Sequence, residues 1–321
     1  MSAQGEGRSL ARLQDDRYFI RIVVLKESPL RTSRTVAFLL SIATVAGLTA
    51  CSADAGAETD GPPATSDALP TVDIAAFDGT SARLDFDHAI PTLPLDDLSL
   101  SSPVFVSKVL HALAVAADSC MTEQGHEAVA DRIDWSPYLL EEDRTYGLWS
   151  VPYASRFGFD LATDTGPRTL DTLPLGVDFN KAYPVCMEEA KSSMTDELTF
   201  AQGPDIDWRI RTEAQSRASA SDAGEAAHAD WEACMEEAGL VLDPDDGRPS
   251  EQYSAQGEES EIAAAVTEAR CAQTTGAVQT LYDLQAKYEA AYRDDQAAQI
   301  QAFSEKRRKV ERFFDDVIAG R

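Results

Sequence analysis

After an apolar run from Thr35 to Ala50, large apolar side chains almost vanish, and they return with helical spacing only further on. Ser52 to Leu69 consists mainly of Ala, Asp, Ser, Thr, Gly and Pro, a composition that cannot offset the entropy of ordering, so a flexible tether is expected. Mixed sequence resumes at Val72. Leu93 to Ser99 reads as an extended lead-in to Ser102-Pro103, an N-cap followed by proline at the first helical position. Val106, Leu110, Leu113, Ala117 and Cys120 then recur at three and four, which predicts a helix that buries its cysteine. Gly125 can end it in the left-handed region.

Residues 131–179 differ. Trp135, Pro137, Pro152, Gly158, Gly166, Pro167 and Pro174 cut the apolar pieces short, so a loop-rich segment with room for a small hairpin is expected. Helical texture resumes around Cys186, near Asp207-Trp208, and at Asp222, where Glu225 completes a capping-box pattern. The stripe there is Ala227, Trp231, Cys234 and Ala238, ended by Gly239. Ser260 caps the next helix, with Ile262, Ala265, Val266 and Ala269 on one side. Cys271 sits off that stripe, so either the helix is alanine-lined and buried on two sides or the cysteine lies where it frays. From Ala277 to Ala319 no proline or glycine intervenes. The first apolar face, Leu281, Leu284, Tyr288 and Ala291, is shifted against the second, Ile300, Phe303, Val310, Phe314 and Val317. One long helix of roughly 40 residues, or two helices broken near Asp294-Asp295, satisfies the pattern.

Charge narrows the class of partner. The chain carries 28 basic and 55 acidic residues; the stretch through Ala50 holds 7 and 4 of them, so the remainder has a formal charge of −30. Nucleic acid is excluded as a natural partner by that balance.

The apolar run carries an address. Lys26, Arg31 and Arg34 precede it, Val36 to Leu40 form its core, and Leu48-Thr49-Ala50-Cys51 closes it with the form of a bacterial lipobox. At about 16 residues the run is short of the roughly 20 that cross a bilayer. Resemblance to lipoprotein signals implies cleavage before Cys51 and a diacylglyceryl thioether on its sulfur, an anchor in which two acyl chains hold where one is marginal.

Setting Cys51 aside leaves Cys120, Cys186, Cys234 and Cys271, an even set of the kind an oxidising compartment favours. Three pairings are open. Order along the chain favours Cys120 with Cys186 and Cys234 with Cys271, closing loops worth about 4 kcal/mol each on a chain-entropy treatment.

Together these features predict a mainly α fold: irregular helical domains with a loop-rich segment at 131–179, two disulfides and a long C-terminal helix. The expected organisation is a leader at 1–50, a tether at 51–71, an N-terminal helical and loop-rich half at 72–200 and a C-terminal helical half at 201–321.

Three segments share a local pattern: Cys120-Met-Thr-Glu-Gln-Gly, Cys186-Met-Glu-Glu-Ala-Lys and Cys234-Met-Glu-Glu-Ala-Gly. The first and third of these, with Tyr146-Gly147-Leu148-Trp149, Phe157-Gly158-Phe159, Trp231, Asp243-Pro244-Asp245, Glu261 to Val266 and Cys271, occur in an order that resembles a group of uncharacterised lipoproteins of high-GC actinobacteria, while Cys186-Met187 departs from that pattern, in which glycine or small residues flank the cysteine. The resemblance covers roughly residues 90–315. It implies an exported, lipid-anchored, cysteine-paired protein on the outer face of the membrane and implies no activity.

Candidate chemistry is sparse. The histidines, His88, His111, His126 and His228, include no i, i+4 pair for zinc, and no Gly-x-Ser-x-Gly elbow or nucleotide loop occurs. Neighbouring Cys and Met on a helix point about 100° apart, so the Cys-Met pairs read as core packing rather than copper ligands. Asp243, Asp245 and Asp246 beside Gly247 offer calcium-type oxygens in a register unlike an EF-hand and read as a solvated turn. Lys306 to Lys309 is a basic run in an acidic chain, with Glu305, Glu311 and Asp315 beside it as partners. No cofactor is expected. The aromatic loop, especially Tyr146, Trp149, Phe157 and Phe159, is a candidate ligand platform, with filling of a small core as the reading preferred. The functional expectation is a non-enzymatic envelope protein, membrane-bound through Cys51, that binds a protein or a cell-wall ligand. The alternative is a wall-acting enzyme using Glu188, Glu189, Glu236 or Glu237.

Overall fold

Ser102 opens the first helix as its sequence requires. Its hydroxyl accepts the Phe105 N–H at 3.4 Å, Pro103 takes the first position, and α1 runs from Pro103 to Glu123 before Gly125 adopts φ +83°. The computed structural model describes residues 69–135, 142–160, 175–203, 206–243, 249, 253 and 257–320, all within one compact unit, Asp67–Arg321. The expected leader, Cys51 and the tether through residue 68 lie outside the described residues.

The chain is mainly helical. After α1 come α2 (Val151–Phe157), α3 (Val177–Ser193), α4 (Thr195–Gln202), α5 (Ile206–Ser219), α6 (Asp222–Glu237), α7 (Glu258–Thr274), α8 (Ala277–Asp295) and α9 (Ala297–Ile318). The hairpin is not in the loop-rich segment's described residues but upstream, where β1 (Arg83–Asp85) and β2 (Ile90–Thr92) pair antiparallel with Leu84 opposite Pro91. Leu69 packs on the core and Tyr292 donates to the Pro70 carbonyl at 2.9 Å, so Leu69 and Pro70 of the expected tether belong to the packed unit.

Helix ends follow local chemistry, with small corrections. Ser221, rather than Asp222, caps α6, its Oγ accepting the Gly224 N–H at 3.1 Å, because a serine in extended conformation leaves Asp222 free to open the first turn. Gly257, with φ +105°, precedes α7, which therefore begins before Ser260. The C-terminal stretch breaks at Gln296, where its apolar stripe changes register.

Both expected disulfides form, Cys120 with Cys186 and Cys234 with Cys271. In each Cys-Met pair the methionine is buried: Met121, Met187 and Met235. On α1 the buried line is Phe105, Val109, Ala112, Leu113, Ala117 and Met121, which keeps Leu113 and Ala117 of the expected stripe, while Val106, Leu110 and Cys120 are only half-buried. On α6 Ala227 and Trp231 are buried as expected, and Met235 rather than Cys234 turns inward. Thioethers fill the irregular interior, and each disulfide runs from a buried cysteine, Cys186 or Cys271, to a half-buried one, Cys120 or Cys234. Cys271 is buried on α7 with Ala264, Ala265, Ala269 and Ala272, so this helix is alanine-lined and covered on two sides.

Two main cores result. One gathers Phe105 and Met121 of α1, Cys186 and Met187 of α3, Ile210 of α5, and Phe303, Val310 and Phe314 of α9. The other gathers Tyr146, Trp149, Trp231, Met235, Cys271, Leu281 and Tyr282. Each holds one disulfide, yet neither is a sequence half. The C-terminal helix α9 packs on α1, the hairpin and the Trp149 loop belong with α7 and α8, and α8 runs through both cores. The expected boundary at 200/201 therefore separates nothing in space. By length and composition the Asp96–Glu123 stretch is apolar enough to cross a membrane; α1, its helical part, packs against α3 and α9.

Candidate functional site

The aromatic loop was the leading sequence candidate, and its geometry follows from the alanines facing it. Small side chains along α7 and α8, such as Ala265, Ala269, Ala272 and Ala286, leave volume that a large ring fills. Trp149 is 1% exposed and Tyr146 8%. Trp149 donates its indole N–H to the Asp143 carbonyl at 2.7 Å, and Tyr146 donates its hydroxyl to Gln285 Oε1 at 3.0 Å. Tyr282 stands edge-on to both rings at 4.8 and 5.7 Å, and its hydroxyl bonds the Asp143 carboxylate. Burial pushes the Tyr146 and Tyr282 hydroxyls upward in pKa, with Asp143 adding to it.

Tyr146 and Trp149 are therefore core residues and offer no open face to a ligand. Phe157 is half-buried beneath Tyr153 and the Arg156 guanidinium, at 4.8 and 4.9 Å, while Phe159 packs beside Leu148, Ala154, Ala265 and Ala269. The four rings do not form one platform. What they form is a packed joint, and Gly147 makes it feasible. With φ +84°, a Cβ there would stand 2.7 Å from the Trp231 ring and 2.9 Å from Glu268 Oε1.

Polar residues that sequence reasoning passed over dominate the interior. Glu289 is 0% exposed; its carboxylate accepts from Leu95 N–H at 3.1 Å and from Gln285 Nε2 at 3.0 Å, and lies 3.9 Å from Arg211. Arg211 bonds Asp96 at 3.1 Å. Burial raises the Glu289 pKa above the ordinary carboxylate value, a push that the Arg211 charge only partly opposes. Hydrogen bonds and one ion pair thus connect Tyr146, Gln285, Glu289, Arg211 and Asp96 in a line through the interior.

Three further buried carboxylates are structural in the same way. Asp118 of α1 accepts from Val129 and Ala130 N–H at 2.9 and 2.7 Å, folding the following loop back on the helix. Glu268 of α7 accepts from Leu148 N–H at 2.8 Å. Glu142 pairs with Arg144, whose guanidinium also donates to the carbonyls of Phe159 and Asp160, and burial raises the Glu142 pKa. A signal for Glu289 existed: it shares a helical face with Val278, Tyr282, Gln285 and Tyr292, all buried.

The remaining candidates fall on the surface or against rings. Glu188, Glu189, Glu236 and Glu237 are exposed on α3 and α6, and Glu188 is 2.7 Å from Lys191. His111 stacks on Trp135 at 4.9 Å and 9°, and burial lowers its pKa. His126 meets the edge of Phe179, and His228 lies 3.5 Å from Glu232. Among the described residues no group of three or more His, Cys, Asp or Glu side chains is placed to hold a metal ion. Of the acidic turn, Asp245, Asp246 and Gly247 lie outside the described residues.

Comparison with protein-family models, with curated proteins and with solved structures finds no match to this chain.

Proposed function

We propose that this chain is an extracytoplasmic, lipid-anchored envelope protein that binds a protein or cell-wall ligand rather than turning over a substrate. One observation carries the reading. Four of the five cysteines pair with each other in two disulfides, each inside its own core, and the cysteine left by that count is Cys51 at the end of a lipobox-like sequence. A cytosolic chain has little use for two long-loop disulfides, whereas an exported one keeps them.

The buried acids support a binding role over catalysis. Asp118, Glu268 and Glu289 hold backbone amides, and Glu142 holds a guanidinium, so their charge is committed to the fold. The order of motifs from about residue 90 to 315, similar to that of actinobacterial lipoproteins, supports the same location.

Intact mass spectrometry of protein from its native host tests the reading. The expected mass is that of residues 51–321 plus a diacylglyceryl group, and Cys51→Ala moves the protein from the membrane fraction to the medium. An unmodified chain that keeps residues 1–50 refutes it. Hydrolysis of wall material by the purified ectodomain would replace the binding role with the enzymatic one.

A further inference from the structure

The basic run on α9 is only partly neutralised by the acids beside it. Glu311 lies 3.2 Å from Arg307, Asp315 lies 2.9 Å from Lys108 on α1, and Glu305 accepts from Gln301. Two of the cations turn to the protein. The Arg307 guanidinium donates to the Asp97 carbonyl and lies 5.3 Å from the Phe105 ring, and the Lys306 ammonium stands 4.6 Å over Phe200. Arg308, Lys309 and Arg312 remain exposed, and none makes an ion pair among the described residues. They lie within about 100° of one another round the helix, with Glu305 one turn before them and Asp316 one turn after on the same side.

We propose that Arg308, Lys309 and Arg312 form a contact surface for anionic lipid headgroups of the bilayer in which the protein is anchored. The proposal rests on the lipid-anchor reading above. The rest of the exported chain is strongly acidic, yet at physiological salt charge is felt over only about 8 Å, so the face turned to the surface decides the interaction. Leu69 packs on the core, and 17 residues separate it from Cys51 in the sequence. Even fully extended, a chain of that length reaches only about 60 Å, which keeps the folded unit near the headgroups. A wall polymer gains nothing from that proximity, and this favours the bilayer as the occupant. Rigidity helps too, because Phe303, Val310 and Phe314 fix the opposite face of α9 in the core.

The test uses residues 67–321, which form one compact unit containing both disulfides. The fragment is sedimented with phosphatidylcholine vesicles and with vesicles containing phosphatidylglycerol at low ionic strength. The expected result is binding to the anionic vesicles alone, lost at high salt and weakened by roughly tenfold in R308Q/K309Q/R312Q, with the helical circular dichroism unchanged. Equal partition onto both vesicle types, or undiminished binding by the triple variant, overturns the proposal. So does a result in which the same three residues bind soluble polyphosphate and not vesicles, which would assign the surface to a wall polymer. Because the fragment lacks Cys51, its failure to bind leaves the anchor reading standing, and an unlipidated Cys51 in the host would sink that reading independently.

Discussion

The carboxylate of Glu289 accepts a hydrogen bond from the backbone N–H of Leu95 at 3.1 Å, joining positions 194 residues apart in the chain. Through it the lead-in to α1 is held against α8, and Arg211 on α5 is drawn to the same point. Glu289→Ala would leave the Leu95 amide without its acceptor and Arg211 without one of its carboxylates. The expected cost is about 3 kcal/mol, read from urea unfolding midpoints. A loss under about 1 kcal/mol would show that the cluster is not a structural hub.

The same carboxylate sets a pH dependence. Burial raises its folded pKa above the ordinary value of 4.5, so between the unfolded and folded values the native state binds the extra proton. Stability contributed by Glu289 is therefore fully present below that ordinary value and is lost as pH rises through the folded one. Relative to Glu289→Gln, the wild-type chain should lose ground as pH increases across that window. Paired unfolding curves check this, and a difference that grows in favour of wild type with rising pH contradicts it.

Each disulfide should be separately decisive. The Cys120–Cys186 and Cys234–Cys271 bonds span sequence separations of 66 and 37. Replacing either pair by Ser should cost about 4 kcal/mol. Thiol titration of denatured, unreduced residues 67–321 should find no free sulfhydryl, and four after reduction.

Gly147→Ala tests the aromatic joint. The added methyl meets the Trp231 ring in a backbone conformation that L residues rarely adopt, so both overpacking and strain oppose it. A loss of about 2 to 4 kcal/mol is expected, with altered tryptophan fluorescence because Trp231 must move. An unchanged melting curve would mean that the loop does not seat as described.

Asp118→Ala removes the acceptor for two buried amides after α1. The expected penalty is about 2 to 3 kcal/mol. Hydrogen exchange should localise the effect, with the Val129 and Ala130 amides losing protection first.

How much of this was legible beforehand depends on distance along the chain. Ser102-Pro103, Gly125, Gly239 and the register shift near Gln296 all mark helix ends correctly, because capping and left-handed turns are decided within a few residues. On α1 and α6 the buried stripes keep Leu113, Ala117, Ala227 and Trp231 as expected and differ where Cys120 and Cys234 stand beside a methionine. Cys120 and Met121, like Cys234 and Met235, are both apolar, and periodicity alone does not say which of two neighbours faces a core 100° away. The aromatic residues lie close together in the chain but divide among separate packing sites, and whether Trp149 is a ligand surface or a core depended on alanines more than 100 residues later.

By itself the sequence determined the helical class, several helix termini and the even set of cysteines, each resting on local backbone chemistry or on counting, while order along the chain only favoured one pairing of three. Only the tertiary structure decided that α9 closes the core around Cys120 and Cys186, that Trp149 is consumed as filling, and that Glu289 sits at 0% exposure against Leu95 and Arg211. The physical reason is that burying a charge or choosing between two helix faces is settled by which distant segment arrives to cover it, and contacts of that separation leave no periodic trace in the chain.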